Sequence, residues 1–300
     1  MDGLAYAPPL IGEIVSRRVE GDLNRLGGTA LALRVRRLAG ALQSAGVGPG
    51  DRVASLAWNG HRAVELALAS EVAGIRLVAL DPDQHPDAIV RVGDGAGARI
   101  LFFDLSFMPL VESIAPRLAT ARCSVVLAGK ADMPGPTAIP NLRCYEAILE
   151  AAREAPAWLV PADAAARFDL CPEDVVLVAE PMHRRDGADL VRAAFAAPAR
   201  RLALPGPWLD GRSLHQLVAA EGVTVAAAPP ALWQRLLAHA EREGAGLAAL
   251  GRALVTGDAD VAEPVARALR ERHGVAGIEG AATPLHGWGA EVVGSPLVSR

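Results

Sequence analysis

Lysine, histidine and cysteine are the side chains that most often move protons, hold metals or attack substrates at neutral pH, and this chain uses them sparingly. Its 300 residues include 7 histidines and 3 cysteines, and Lys130 is its only lysine. His61, His85, His183, His215, His239, His273 and His286 are dispersed, with no H-E-x-x-H or comparable metal pair. Cys123, Cys144 and Cys171 are odd in number and far apart, which argues against a disulfide framework or a zinc spacing; reduced, mostly buried thiols are expected. Ser213 and His215 are neighbours, but no G-x-S-x-G surrounds them, so His215 reads as a partly exposed helix residue. Asp258 and Asp260 are cation ligands by type. Without further oxygen donors they read as caps of a helix over Val261–His273. No G-x-x-x-x-G-K-[S/T] exists, and Lys130 falls on a proline-rich loop where a solvated ammonium is expected. Gly93, Gly95 and Gly97 form a G-x-G-x-G run, but they precede a strand instead of following one. A helix-ending turn is expected there, not a dinucleotide cradle.

The elements that would position these groups alternate. Short β-rich runs lie at Val53–Trp58, Leu77–Leu80, Arg99–Phe103, Ser124–Ala128, Val175–Ala179, Arg201–Leu204, Val223–Ala228 and Ala253–Thr256. Between them, Leu31, Val35, Leu38 and Leu42 mark one stripe of a helix over Thr29–Ala45, with Thr29 as a cap and Gly46 as its end. Asn59 is placed to cap a helix over His61–Ala73, followed by Gly74. Gly187–Ala197, Arg212–Ala220, Ala231–Glu243 and Val261–His273 read as further helices. Strands alternating with helices predict an α/β fold: two subdomains with mostly parallel sheets covered by helices. The stretch Ala155–Pro172, with Pro156, Pro161 and Pro172, marks the junction, giving subdomains over 1–165 and 166–300. Gly129–Asn141, with three prolines, reads as a surface excursion.

Composition narrows the function classes. Hydrophobic residues make up 51% but aromatics only 4%, so the apolar mass is alanine, valine and leucine, suited to packing helices on sheets. A formal net charge of −4 gives no strongly basic face, and nucleic acid is not an expected partner. Mean hydropathy is positive, yet every apolar run is broken short of the roughly 18–20 residues of a membrane span. The N-terminus lacks a basic start with an apolar stretch, so no secretory signal is expected, and a cytoplasmic location follows.

Taken in order, several segments resemble AMP-forming acyl-CoA synthetases of the fatty-acyl ligase type. Gly46-Val-Gly-Pro-Gly-Asp51-Arg-Val-Ala54 followed by Ala57-Trp-Asn59 is similar to the family's first subdomain. Asp174-Val-Val-Leu177, Pro181-Met-His183, Leu204-Pro-Gly206, Glu221-Gly-Val-Thr-Val225 and Pro229-Pro-Ala-Leu-Trp233 are similar to its second. His286-Gly-Trp-Gly289 with Ser295-Pro-Leu297 resembles the H-G-W-G-M-T-E-x-S-P-L segment. The resemblance implies the fold of the family's large N-terminal domain and a cleft bordered by matching positions. These are His183 on the acyl side and the only candidate acid–base group, Ala228 and Pro229, Gly257, Asp258 and Ala259 in place of a G-G-A turn near adenine, and Gly287, Trp288 and Gly289. The plain alternative for all of them is scaffold packing and turn geometry.

The departures bear on activity. The family's Ser/Thr/Gly-rich phosphate loop ending in Pro-Lys-Gly should fall between Asp163 and Asp174. The chain instead reads Ala164-Ala-Ala-Arg-Phe-Asp-Leu-Cys-Pro172. After Gly289 it reads Ala290-Glu291-Val292 where the family has its M-T-E step. It ends at Arg300, without the small C-terminal domain and its lysine. Losing one preorganised donor typically costs about 2.7–4 kcal/mol of transition-state stabilisation. A degenerate synthetase-like protein is therefore expected: no cofactor, ATP, AMP and magnesium not bound in the family manner, and a CoA thioester or acyl ligand as the remaining small molecule. Assembly as a homo-oligomer or with an intact ligase is the protein-level expectation. The alternative is a ligase or thioester-handling enzyme completed by a partner polypeptide.

Overall fold

A computed structural model describes residues 28–155, 168–180, 185–196, 201–205 and 209–278. Two five-stranded sheets follow one another along the chain, and every strand pair in them is parallel. The first holds β1 (Arg52–Leu56), β2 (Arg76–Ala79), β3 (Ile100–Phe103), β4 (Cys123–Val126) and β5 (Leu142–Cys144) in the order β2-β1-β3-β4-β5. The second holds β6 (Val175–Val178), β7 (Arg201–Ala203), β8 (Val225–Ala228), β9 (Arg252–Val255) and β10 (Ala276–Gly277) in the order β10-β9-β8-β6-β7. Read from the opposite edge, the second order repeats the winding of the first, with β6 in the place of β1. Nothing in the sequence signals this, because strand order is set by crossover packing and not by local residue pattern.

The helices are α1 (Gly28–Ser44), α2 (His61–Val72), α3 (Pro86–Ala96), α4 (Met108–Ile114), α5 (Tyr145–Ala151), α6 (Arg185–Ala196), α7 (Gly211–Glu221), α8 (Pro230–Glu243) and α9 (Ala259–His273). They form three layers. Residues of α1, α2, α5 and α6 share one core with strand residues of both sheets, including Val53, Phe102, Val176 and Val225. The outer face of the first sheet is covered by α3 and α4 through Ile89, Val111 and Ile114. The outer face of the second is covered by α7, α8 and α9 through Leu214, Trp233, Leu236 and Leu269. Strands buried on both faces explain why the β runs are continuous and aliphatic.

The shared middle layer also contains charge. Glu65, fully buried on α2, receives Arg34 of α1 through Nε at 2.6 Å and Nη2 at 3.0 Å, and the Tyr145 hydroxyl of α5 at 2.7 Å. Arg34 and Arg62 both reach Glu146. Burial raises the Glu65 carboxyl above its ordinary range against the pull of Arg34, and burial beside Glu65 pushes the Tyr145 phenol well above its own. Arg192, almost fully buried on α6, meets Glu71 of α2 at 2.6 Å, a charge pair between the two halves.

Several expectations are corrected. α1 begins at Gly28, so Thr29 lies inside the helix and does not cap it. Asn59 is not a cap either; Gly60 holds that position and makes no side-chain bond. The helix-ending turn expected of the glycine run is present: Gly93 and Gly95 lie in the last turns of α3 and Gly97 forms its left-handed cap at φ +68°. A Cβ at Gly93 would lie 3.0 Å from the Leu118 side chain, so its small size serves packing. Strands β5 and β10 and helices α4 and α5 are too short for a periodic signal. Cys171 is exposed, Cys144 buried and Cys123 intermediate, all three free. The boundary between residues 165 and 166 lies outside the described residues.

Helices α7 and α8 meet backbone to backbone: a Cβ on Gly211 would stand 2.1 Å from the Arg235 carbonyl oxygen. Gly211→Ala is expected to destabilise the protein by about 1–3 kcal/mol through overpacking. Gly135→Ala, with nothing within 4 Å of its Cβ, should stay within about 0.5 kcal/mol. Urea unfolding of both variants measures the difference.

Candidate functional site

In a parallel sheet wound in this order, ligands bind beyond the carboxyl ends of the strands where the winding reverses. Those points are β1/β3 in the first sheet and β6/β8 in the second, and the structure joins them. Asn59, just after β1, donates its side-chain amide to the Val178 carbonyl at 3.2 Å and the Glu180 carbonyl at 2.7 Å, at the end of β6. Gly60 takes the N-cap position of α2, and the Asn59 amide donors serve the other sheet. Beside it, the Trp58 amide donates to Asp104, just after β3, at 2.5 Å, and the Trp58 indole N–H donates to Ser106 at 2.9 Å.

On the second sheet, Glu180 is completely buried and its carboxylate accepts the Thr256 hydroxyl, which also lies 3.3 Å from the Ala228 carbonyl. Thr256 follows β9, so β6, β8 and β9 are tied at one rim. The cluster joins a carboxylate, a hydroxyl and a carboxamide at the strand ends where the two sheets meet. Glu180, Thr256 and Asp104 were missed in the sequence. The available signal was a charge closing a buried aliphatic strand, as in Val178-Ala-Glu180-Pro.

Of the sequence-named positions, Ala228 is buried, with its carbonyl in this network, and Pro229 caps α8. Gly257, Asp258 and Ala259 are exposed at the neighbouring strand end, Gly257 at φ +95°. Asp258 takes the N-cap position of α9 but accepts no side-chain cap bond. The structure therefore brings Ala228, Pro229 and 257–259 to one rim, since Ala228 is in register with Val255. His183, Gly287, Trp288 and Gly289 lie outside the described residues. His215 contacts the His239 ring at 5.4 Å and the Gly246 carbonyl at 3.2 Å, between α7 and the α8 end. Lys130 pairs with Glu150. Among the described residues, no group of three or more His, Cys, Asp or Glu could hold a metal.

Asp104 is the titrating group of the first rim. Burial pushes its carboxyl up to about 6, against the Trp58 amide and the charge of Arg62.

A profile described as AMP-binding enzyme matches residues 14–166. The chain belongs to that family. It is 31% identical, over 95% of its length, to 3-methylmercaptopropionyl-CoA ligase of Ruegeria lacuscaerulensis, covering 57% of that protein. It is 34% identical, over 91% of its length, to long-chain-fatty-acid–CoA ligase of Thermus thermophilus, covering 55%. The chain thus spans about half the length of these curated relatives. The crystal structure of a benzoate CoA ligase from Burkholderia xenovorans LB400 shares the fold with a TM-score of 0.67 at 16% identity, over 83% of this chain and 54% of that one. The homologues of this AMP-binding family member are acyl-CoA ligases, and its α/β fold is that of adenylate-forming ligases. No helix among the described residues is long and apolar enough to cross a membrane.

Two outcomes follow for the rim. Asn59→Ala leaves two strand-end carbonyls without their amide donor and should cost about 1–3 kcal/mol in urea unfolding. For Asp104 the folded pKa lies above the ordinary 3.8, so its favourable contribution is complete below pH 3.8 and is lost as pH rises through about 6. Asp104→Asn should therefore gain stability relative to wild type between pH 4 and pH 7, by a Tm difference that grows across that window.

Proposed function

We propose that this chain derives from an acyl-CoA ligase, does not adenylate substrates with ATP on its own, and is retained to bind an acyl or acyl-CoA ligand or to assemble with another protein. The observation that carries this reading is the segment from Asp163 to Asp174. It has no glycine, serine, threonine or lysine, the residues that bring backbone amides and a cation against triphosphate oxygens.

The described part of that segment, 168–174, is anchored at Phe168 and Asp174, which are buried, with most of the residues between them exposed. The Cys171 amide at 2.8 Å, the Thr224 hydroxyl at 2.7 Å and the Arg252 guanidinium at 2.6 Å all bond the Asp174 carboxylate. Arg252 also donates to the Phe168 and Asp169 carbonyls. Burial opposes ionisation of Asp174, but these donors outweigh it and hold the carboxyl at about 2. Donors spent on Asp174 are not offered to a phosphate. This clamp sits at the amino ends of β6 and β9, whereas the rim of Asn59, Glu180 and Thr256 lies at the carboxyl ends. The 31% match runs over 319 aligned positions yet takes up 95% of a 300-residue chain, so within the match the relative carries residues that this chain lacks.

The extent of that match also favours a second reading: a ligase that works when another polypeptide supplies the phosphate-binding parts. Pyrophosphate release from ATP, magnesium and a fatty acid, together with calorimetric titration of ATP, AMP and acyl-CoA, separates the readings. The expected result is release at background and acyl-CoA binding without ATP binding. Robust release by the chain alone overturns the proposal; release only on adding a second polypeptide selects the second reading.

A further inference from the structure

Helices α7 and α8 lie side by side on the outer face of the second sheet, and two contacts fix how they cross. Gly211 of α7 faces α8 so closely that a Cβ on it would stand 2.1 Å from the Arg235 carbonyl oxygen. Four residues further along each helix, His215 meets His239, with ring centroids 5.4 Å apart. An equal step of four in both helices means that they run parallel and that the two imidazoles sit one turn beyond the close approach. Both histidines are half-buried, and their rings are inclined at 61°, not stacked. His239 is about 13 Å along α8 from Pro230, so the pair is well removed from the rim at the carboxyl ends of the strands.

One of the rings is already held from behind. The His215 Nε2 lies 3.2 Å from the Gly246 carbonyl oxygen, just past the end of α8. A carbonyl oxygen only accepts, so in the neutral ring Nε2 carries the proton and the lone pair stays on Nδ1. Imidazoles that ligate metals are held in this way, because an N–H···O=C bond fixes the tautomer and makes the other nitrogen more basic. The spacing agrees. Two imidazoles that bind one ion at about 2.0–2.1 Å and a tetrahedral angle have ring centroids about 5 Å apart. The χ2 torsion of histidine is broad, so the His239 ring can bring a nitrogen to the shared position by turning in place.

The geometry points to His215 and His239 as a two-ligand site for a divalent transition-metal ion of the imidazole-binding class, zinc or copper. Neutral ring nitrogens suit those ions, whereas magnesium and calcium take oxygen ligands. Among the described residues no group of three or more His, Cys, Asp or Glu could hold a metal, so water completes the coordination shell and binding is of micromolar strength. The bound ion clips α7 to α8. It stabilises the folded chain, because the two rings meet only when both helices are packed on the sheet. The site is independent of adenylation and of either reading of it.

The test is calorimetric titration of zinc chloride, and of magnesium chloride in parallel, into the full chain at neutral pH. Saturable zinc binding is expected, with a Kd at least about tenfold higher for His215→Gln and for His239→Gln. The double variant should be no weaker than either single one, because a chelate that loses one arm is lost whole. Cys171→Ser, which removes the exposed thiol, should leave the Kd unchanged. Should a glutamine variant lose its circular dichroism, the unsubstituted chain decides: electron paramagnetic resonance of its copper complex is expected to show two imidazole nitrogens on the ion. Absence of saturable zinc binding, magnesium binding as tight as zinc, an unchanged Kd in either histidine variant, a weaker Kd in Cys171→Ser, or fewer than two nitrogens on copper overturns the assignment.

Discussion

A helix layer covered by a parallel sheet on each side has nowhere to send a charge. That constraint governs the middle of this molecule, where α1, α2, α5 and α6 lie between the two sheets. Alanine, valine and leucine fill the layer because small aliphatic side chains let two sheets approach the same helices. The charges that remain are met inside: Glu65 by Arg34 and Tyr145, Glu71 by Arg192. Removing one member of such a pair leaves an ion in a dry interior, which costs more than the pair contributes. Glu71 and Arg192 come from different sheets' helices, so the two halves constrain each other's position as well as share a core.

With both faces of every central strand occupied, polar chemistry is confined to the strand ends. The carboxyl ends carry the rim of Asn59, Asp104, Glu180 and Thr256, where the two windings reverse opposite one another. The amino ends of the second sheet carry the Asp174–Arg252 clamp.

Much of the fold was legible because buried parallel strands demand aliphatic runs, and helices packed on them demand a stripe. Leu31, Val35, Leu38 and Leu42 are buried as that stripe predicts. Elements of two to seven residues, such as β10 and α5, offer no period to read. α3 carries Gly93 and Gly95 in its last turns, and of the two only Gly93 is packed closely, against Leu118. The rim was less legible for another reason. Asn59 has the chemistry of a cap, and only the approach of β6 decides that its amide is used elsewhere. Ala228, Pro229 and 257–259 could be named from family resemblance, but Glu180 and Asp104 are assigned by contacts some 46 to 121 residues away in sequence.

The position of the shared layer has a consequence for synthesis. The first sheet is complete once residue 144 is paired, and α1, α2 and α5 can settle on it at once. Their opposite faces are closed by β6, β8 and β9, which emerge later, β9 only at Arg252–Val255. For the time taken to make roughly a hundred residues, the nascent chain therefore displays an aliphatic surface with buried-type charges at its centre. At ordinary elongation rates this lasts about 5–20 seconds. A protein built this way depends on its second half as the cover of its first, and its early vulnerability is to sticking, not to unfolding.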